Sequence, residues 1–191
     1  MPHTIVLAFM TLDGIIEDPD GSGRTPYGGW AFRGPVAPDP FRLGPKLDTG
    51  VLLLGRKTWE LLSLAGQGLT DDFSLAMNRM PKLVASRTRA ADLSAWGNSS
   101  LLSGELLDTV ERNQADRDVI VMGSASVVHA LAEHDRVDEY RILIFPNAVG
   151  DGTPLFSHKT TPTQLRLLSA EASGPAILAR TVIVCAVALN A

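Results

Sequence analysis

The chain has 191 residues, 45% of them hydrophobic and 20% charged, with a formal net charge of −4. That length suits one domain, residues 1–191, with a sizeable core, and the composition suits a soluble globular fold. The negative balance argues against a nucleic-acid binder, the lone cysteine (Cys185) excludes an internal disulfide framework, and no apolar run approaches membrane-spanning length. Met1-Pro2-His3-Thr4 shows no basic region leading into an apolar signal segment, so the cytoplasm is the expected compartment.

Ile5–Met10 is a compact apolar run and reads as a central strand. Residues 11–50 are rich in glycine and proline and hold Asp13, Glu17, Asp18, Asp20 and Asp39. An irregular stretch of that length in a compact domain is usually a functional loop or lid. Val51–Leu54 reads as a second strand and Lys57–Leu64 as a helix. Thr70-Asp71-Asp72 can cap another helix running to Asn78, which Met80-Pro81 ends. Strands are expected at Lys82–Ser86 and Ser99–Leu102, then a helix from Ser103-Gly104-Glu105-Leu106 to about Asn113, capped by Ser103.

Asp118–Met122 is the next strand, Ser124–Glu133 the helix behind it, and Val137–Phe145 a long strand. Gln164–Ser169 and Ala176–Leu189 close the chain as an antiparallel hairpin. Strands alternating with helices, then strands alone, give an α/β fold. Its central sheet is mixed but mainly parallel, flanked by helices, with an antiparallel C-terminal edge.

Twice a strand runs through a glycine straight into a helix. The first junction is Val51-Leu52-Leu53-Leu54-Gly55-Arg56-Lys57-Thr58-Trp59, the second Val119-Ile120-Val121-Met122-Gly123-Ser124-Ala125-Ser126. Glycine allows close backbone approach, and the first helical N–H groups point outward without partners. A helix N-terminus of this kind binds anions, phosphate above all. Two such junctions in one small chain point to a ligand with two phosphate-bearing parts, such as a dinucleotide. Ser86-Arg87-Thr88-Arg89 leaves the end of another strand and offers a hydroxyl and charge to a further phosphate, or is only a basic turn. Ser124 has the simpler reading of an N-cap. Asp13-Gly14 directly follows the first strand, where a carboxylate could assist the chemistry or simply shape a turn. Trp30, after Gly28-Gly29, could wall a pocket or plug the core. His3, His129, His134 and His158 have no metal-like spacing, and no hydrolase or metal motif is visible.

Leu53-Leu54-Gly55-Arg56-Lys57-Thr58-Trp59-Glu60 resembles the cofactor-binding strand–turn–helix of dihydrofolate reductases. Other stretches are closer to their relatives, the reductase domain of bacterial riboflavin biosynthesis (the RibD C-terminal type). Phe9-Met10-Thr11-Leu12-Asp13-Gly14-Ile15-Ile16 is similar to its first strand and loop. Val137-Asp138-Glu139-Tyr140, Pro146 and Gly150-Asp151-Gly152-Thr153-Pro154-Leu155-Phe156 resemble its late strand and loop. The resemblance runs from about residue 4 to the C-terminus, and its specificity comes from several motifs in the right order.

The resemblance implies a dihydrofolate-reductase-like fold and NADPH as cofactor. It implies cofactor contacts at Gly55, Arg56 (the adenosine phosphate), Lys57, Thr58 (near the pyrophosphate), Ser86, Arg87, Gly123, Ser124, Ala125 and Ser126. Phe9 and Trp30 would border the substrate pocket, and Asp13 would be the catalytic candidate. The implied reaction is hydride transfer to a small heterocyclic or ribosyl substrate, as in 5-amino-6-(5-phosphoribosylamino)uracil reductase, by a homodimer with no nucleic-acid or membrane partner. The alternatives are a dihydrofolate reductase and a non-catalytic nucleotide- or flavin-binding module. Folate enzymes carry an acid shortly after the loop tryptophan. Here Ala31-Phe32-Arg33-Gly34-Pro35 follows Trp30, with no acid until Asp39. The fused deaminase domain and its zinc motif are not in this sequence, which fits a stand-alone paralogue with another substrate.

Overall fold

The structure is a computed structural model that describes residues 1–31, 38–65, 70–88, 92–157 and 163–186. Arg89, the 32–37 stretch after Trp30, His158 and residues 187–189 of the expected last strand lie outside those residues.

Eight strands form one sheet in the order β4-β3-β2-β5-β1-β6-β8-β7. They are β1 (Thr4–Thr11), β2 (Val51–Gly55), β3 (Lys82–Ala85), β4 (Ser99–Leu101), β5 (Val119–Val121), β6 (Glu139–Phe145), β7 (Thr163–Ser173) and β8 (Ala176–Ala186). The pairs from β4 to β6 are parallel, while β8 runs antiparallel to both β6 and β7. The helices are α1 (Lys46–Thr49), α2 (Arg56–Ala65), α3 (Asp72–Arg79), α4 (Leu106–Gln114) and α5 (Ala125–Glu133).

The central strands read as continuous apolar runs because both of their faces are covered. Ile5, Leu7, Leu52 and Leu54 pack on one side with Trp59 of α2 and Met77 of α3. Val6, Ala8, Val51 and Leu53 pack on the other with Val110 of α4 and Val127, Val128 and Leu131 of α5. Asp71 caps α3 as expected, accepting from the Ser74 amide at 3.0 Å and the Ser74 hydroxyl at 2.6 Å. Ser103 does not cap α4. Gly104 turns the chain with φ +90°, Glu105 becomes the N-cap, and the Ser103 carbonyl instead accepts from Thr109 Oγ1 and Arg112 Nη2, each at 3.1 Å. The α1 turn interrupts the 11–50 loop and was not legible in its composition.

Lys82, 1% exposed at the start of β3, ties that strand to its surroundings. Its Nζ donates to the carbonyls of Asn78 at 2.9 Å, Met80 at 2.8 Å and Gly97 at 3.1 Å, and it lies 4.5 Å from the centroid of the Trp96 ring.

Candidate functional site

Parallel pairing places the two glycine junctions side by side at the carboxyl edge of the sheet. Leu53 pairs with Val121 across β2 and β5, and Gly55 pairs with Ala85 across β2 and β3. Ligands of open α/β sheets bind at that edge. The Gly55 amide donates to the Gly123 carbonyl at 2.9 Å, and α2 begins at the next residue. The Gly123–Ser124 peptide is cis.

The junctions interlock through their small residues. A Cβ at Gly55 would sit 2.3 Å from Ser124 Oγ, and one at Gly123 would sit 3.2 Å from Thr58 Oγ1. Gly123 also has φ +94°, a conformation that other residues rarely adopt. Each glycine thus makes room for a hydroxyl from the opposite junction. Ser124 is the N-cap of α5, but its side chain makes no capping hydrogen bond; its hydroxyl pairs with that of Ser126 at 2.9 Å. The start of α5 is therefore left without a side-chain cap, next to two hydroxyls and the start of α2. These features fit a pyrophosphate.

The charged candidates stand around this centre. Arg56 Nη1 contacts Glu60 Oε1 at 2.6 Å, one turn along α2, and both side chains are over two-fifths exposed. Lys57 and Arg87 are exposed. The Ser86 hydroxyl closes a local turn, donating to the Thr88 carbonyl at 2.8 Å and accepting from the Thr88 amide at 3.3 Å. Gly55, Thr58, Gly123, Ser124 and Ser126 are thus brought into contact. Ala125 opens α5 beside them, and Ser86 and Arg87 follow the adjacent strand.

Asp13 and Phe9 lie at the carboxyl end of β1, on the other side of β5, and Trp30 packs on Phe145 at the end of the neighbouring β6. Asp13 accepts from the Thr11 hydroxyl at 2.6 Å and from the amides of Gly150 at 2.7 Å and Val149 at 3.1 Å. The Thr11 hydroxyl, with help from the Gly150 N–H, holds its carboxyl below the usual range. An ionised carboxylate with these donors clamps the 147–155 loop; it has no proton to give at neutral pH. Trp30 is 2% exposed, its indole N–H donates to the Glu17 carbonyl at 3.1 Å, and its ring meets Phe145 edge-on at 5.6 Å. It is therefore a core plug rather than an open wall. Phe9 is half-buried, 5.2 Å from the Phe41 ring centroid and 6.2 Å from that of Phe145. Asp39, the first acid after Trp30, is occupied in accepting from the amides of Leu43 and Gly44, each at 2.8 Å.

Two loop carboxylates had no role assigned from the sequence. Glu17 accepts from the Thr153 amide at 2.9 Å and its hydroxyl at 3.2 Å, which stitches the first loop to the 147–155 loop. Asp18 accepts from the Gly23 amide at 2.6 Å, the Thr25 amide at 2.9 Å and the Thr25 hydroxyl at 2.7 Å. Burial opposes its charge, yet these donors outweigh it and hold the carboxyl low. The Asp-Pro-Asp-Gly-Ser-Gly run at 18–23 signals such turn chemistry but not its partners. Among the described residues, no group of three or more His, Cys, Asp or Glu is arranged to hold a metal ion, and no helix is long and apolar enough to cross a membrane.

An uncharacterized protein, YwjB, of Bacillus subtilis (strain 168) is 30% identical over 66 residues, a match covering 35% of this chain and 38% of that relative's length. A solved Shewanella sp. PV-4 protein named for riboflavin biosynthesis has a TM-score of 0.72 at 18% identity, covering 95% of this chain and 98% of its own. A pyrimidine reductase-like protein from Corynebacterium diphtheriae has a TM-score of 0.63 at 12% identity, covering 96% and 92%. Dihydrofolate reductase from Enterococcus faecalis, solved with NADP(H), has a TM-score of 0.60 at 10% identity, covering 96% and 97%. These likenesses show the dihydrofolate-reductase-like fold. The family model of the RibD C-terminal domain matches residues 2–179, and the chain belongs to that family.

Proposed function

We propose that the chain is an NADPH-dependent reductase that resembles 5-amino-6-(5-phosphoribosylamino)uracil reductase and passes a hydride to a small heterocyclic or ribosyl substrate. The observation that carries this reading is the interlocked pair of glycine junctions, which opens two helix N-termini at one point of the sheet edge. NADPH, when bound, supplies the hydride; the chain's own residues bind, orient and exclude water. Gly55, Thr58, Gly123, Ser124, Ala125 and Ser126 would hold the pyrophosphate. Arg56 would converge with Ser86 and Arg87 on the phosphate of the adenosine ribose, the 2′-phosphate, with Lys57 beside them. Phe9 would border the substrate, with Trp30 bracing the wall from below, and Asp13 would position the loop over it. The same reading takes the protein as a cytoplasmic homodimer, supported by the sequence and by an exposed apolar hairpin.

Arg56→Ala tests the cofactor assignment. The Glu60 contact is solvent-exposed and costs little to break, so Arg56 is free to turn to a phosphate. NADPH affinity, read by fluorescence titration, should fall about tenfold, while NADH affinity barely moves. Equal losses for both cofactors, or tighter NADH binding by the parent, would defeat the assignment. Following NADPH absorbance with a pyrimidine ribosyl substrate and with dihydrofolate then separates the readings. Turnover of dihydrofolate alone favours a folate reductase, and tight NADPH binding with no turnover favours a non-catalytic module.

A further inference from the structure

The face of the sheet that carries Trp30 and Phe41 also holds a buried ionic cluster on β6. Arg141 on β6 is 2% exposed and Glu139, two residues earlier on the same face, 5%. Arg141 Nε donates to Glu139 Oε1 at 2.8 Å and Nη2 to Glu139 Oε2 at 3.3 Å. Arg180 on β8 adds Nε and Nη2 to the same Oε1 at 3.0 and 2.9 Å. Burial works against the Glu139 charge, but the Arg141 and Arg180 guanidiniums outweigh it and keep the carboxyl below its usual range.

A buried ionic cluster is a weak way to gain stability, since desolvation consumes most of the attraction. Its distinctive capacity is to fix geometry, because the planar guanidinium donates in set directions. Glu139 already has Arg180, so neutralising its charge does not by itself call for a second arginine. The remaining nitrogen of Arg141 shows what the second one adds. Nη1 donates to two successive carbonyls, those of Phe41 (3.1 Å) and Arg42, and so fixes these two peptide planes within the 38–44 segment. Beyond this clamp the Phe41 ring, 0% exposed, stands edge-on to Phe9 at 5.2 Å. The register puts Arg141 opposite Leu7 and Leu143 opposite Phe9, so the clamp and the aromatic wall lie one pleat apart on the same face.

We propose that Arg141 is a positioning residue: it seats the 38–44 segment so that Phe41 holds the Phe9 ring in place at the substrate side of the site. The effect on turnover rests on the reductase reading, whereas the effect on the rings does not. Arg141→Lys keeps a cation for Glu139 but cannot also reach both carbonyls. Arg141→Met removes the clamp and leaves Glu139 paired with Arg180.

In the full chain with labelled phenylalanine, the ring-to-ring Overhauser contact between Phe9 and Phe41 should be lost in both variants, while NADPH affinity stays within about twofold of the parent. With a pyrimidine ribosyl substrate and dihydrofolate as probes, KM for the one turned over should rise about tenfold and kcat change far less. A parent that turns over neither probe defeats the functional reading, and the ring contact alone then judges Arg141. An unchanged ring contact in Arg141→Lys overturns the proposal. So does a matching loss of NADPH affinity, or failure of both variants to fold, since either makes Arg141 a residue of the fold at large.

Discussion

Gly55 and Ser124 occupy one space between them, so a side chain at Gly55 fits only if Ser124 shrinks. A methyl group at Gly55 would meet Ser124 Oγ at 2.3 Å, with Ser124 Cβ and N both at 3.0 Å behind it. Overpacking of this kind costs about 1–3 kcal/mol. Gly55→Ala should lower the urea midpoint accordingly, and adding Ser124→Gly should restore part of the loss, because the hydroxyl is removed but the backbone contact remains. Simple addition of the two single effects would mean that the contact is not tight. The sequence displayed both glycines and the hydroxyls beside them, since a strand–Gly–helix junction is a local pattern. It could not display that each glycine serves the other junction, because that depends on β2 and β5 being neighbours. Asp13 shows the same limit. Its Asp-Gly turn is local and legible, but its partners at Val149 and Gly150 lie more than a hundred residues away.

At the scale of elements, strand and helix positions follow from pattern wherever burial is strong. The runs at 5–10 and 51–54 are legible because buried parallel strands need apolar residues on both faces. The pattern is silent where a charge is buried. Lys82 opens β3 as though it were a solvated flank, yet it pins that strand to the end of α3 and to the Gly97 turn. Replacing it by methionine leaves three carbonyls without their donor, which should cost about 1–3 kcal/mol. Burial also brings its ammonium down from the ordinary 10.5 to about 8. Between those values the unfolded chain retains a proton that the folded chain has released, so Lys82 makes stability rise with pH across that window. Below about 8 both states hold the proton and the slope vanishes. Melts of the parent and of Lys82→Met should therefore diverge increasingly above about pH 8, with the parent gaining. A constant difference between them would show that the amine keeps its ordinary proton affinity.

The whole molecule turns on where the last two strands go. Their apolar sequence allowed two readings: mid-sheet strands under the chain's own helices, or an edge in need of a cover. The strand order separates them, with β8 inside the sheet and β7 at its end. The hairpin leaves Leu167 58%, Leu168 42%, Ile177 52% and Val184 52% exposed. Pairing places Leu167 beside Thr181 and Ala172 beside Ile177, on the face that also carries Ile183 and Leu165. Neither α4 nor α5, which cover this side of the central strands, includes the exposed hairpin residues in its packed cluster. An open edge strand beside exposed apolar side chains invites pairing with other chains, and a two-fold partner is the common cover. The expectation is a homodimer through this hairpin. Sedimentation equilibrium at low micromolar concentration should give twice the chain mass, and Leu167→Lys with Ile177→Lys should return the monomer. Because the glycine junctions lie beyond β1 and β6 from the hairpin, NADPH affinity should survive that change. A parent that sediments as a clean monomer excludes the dimer, and a doubly substituted chain that remains dimeric places the interface elsewhere.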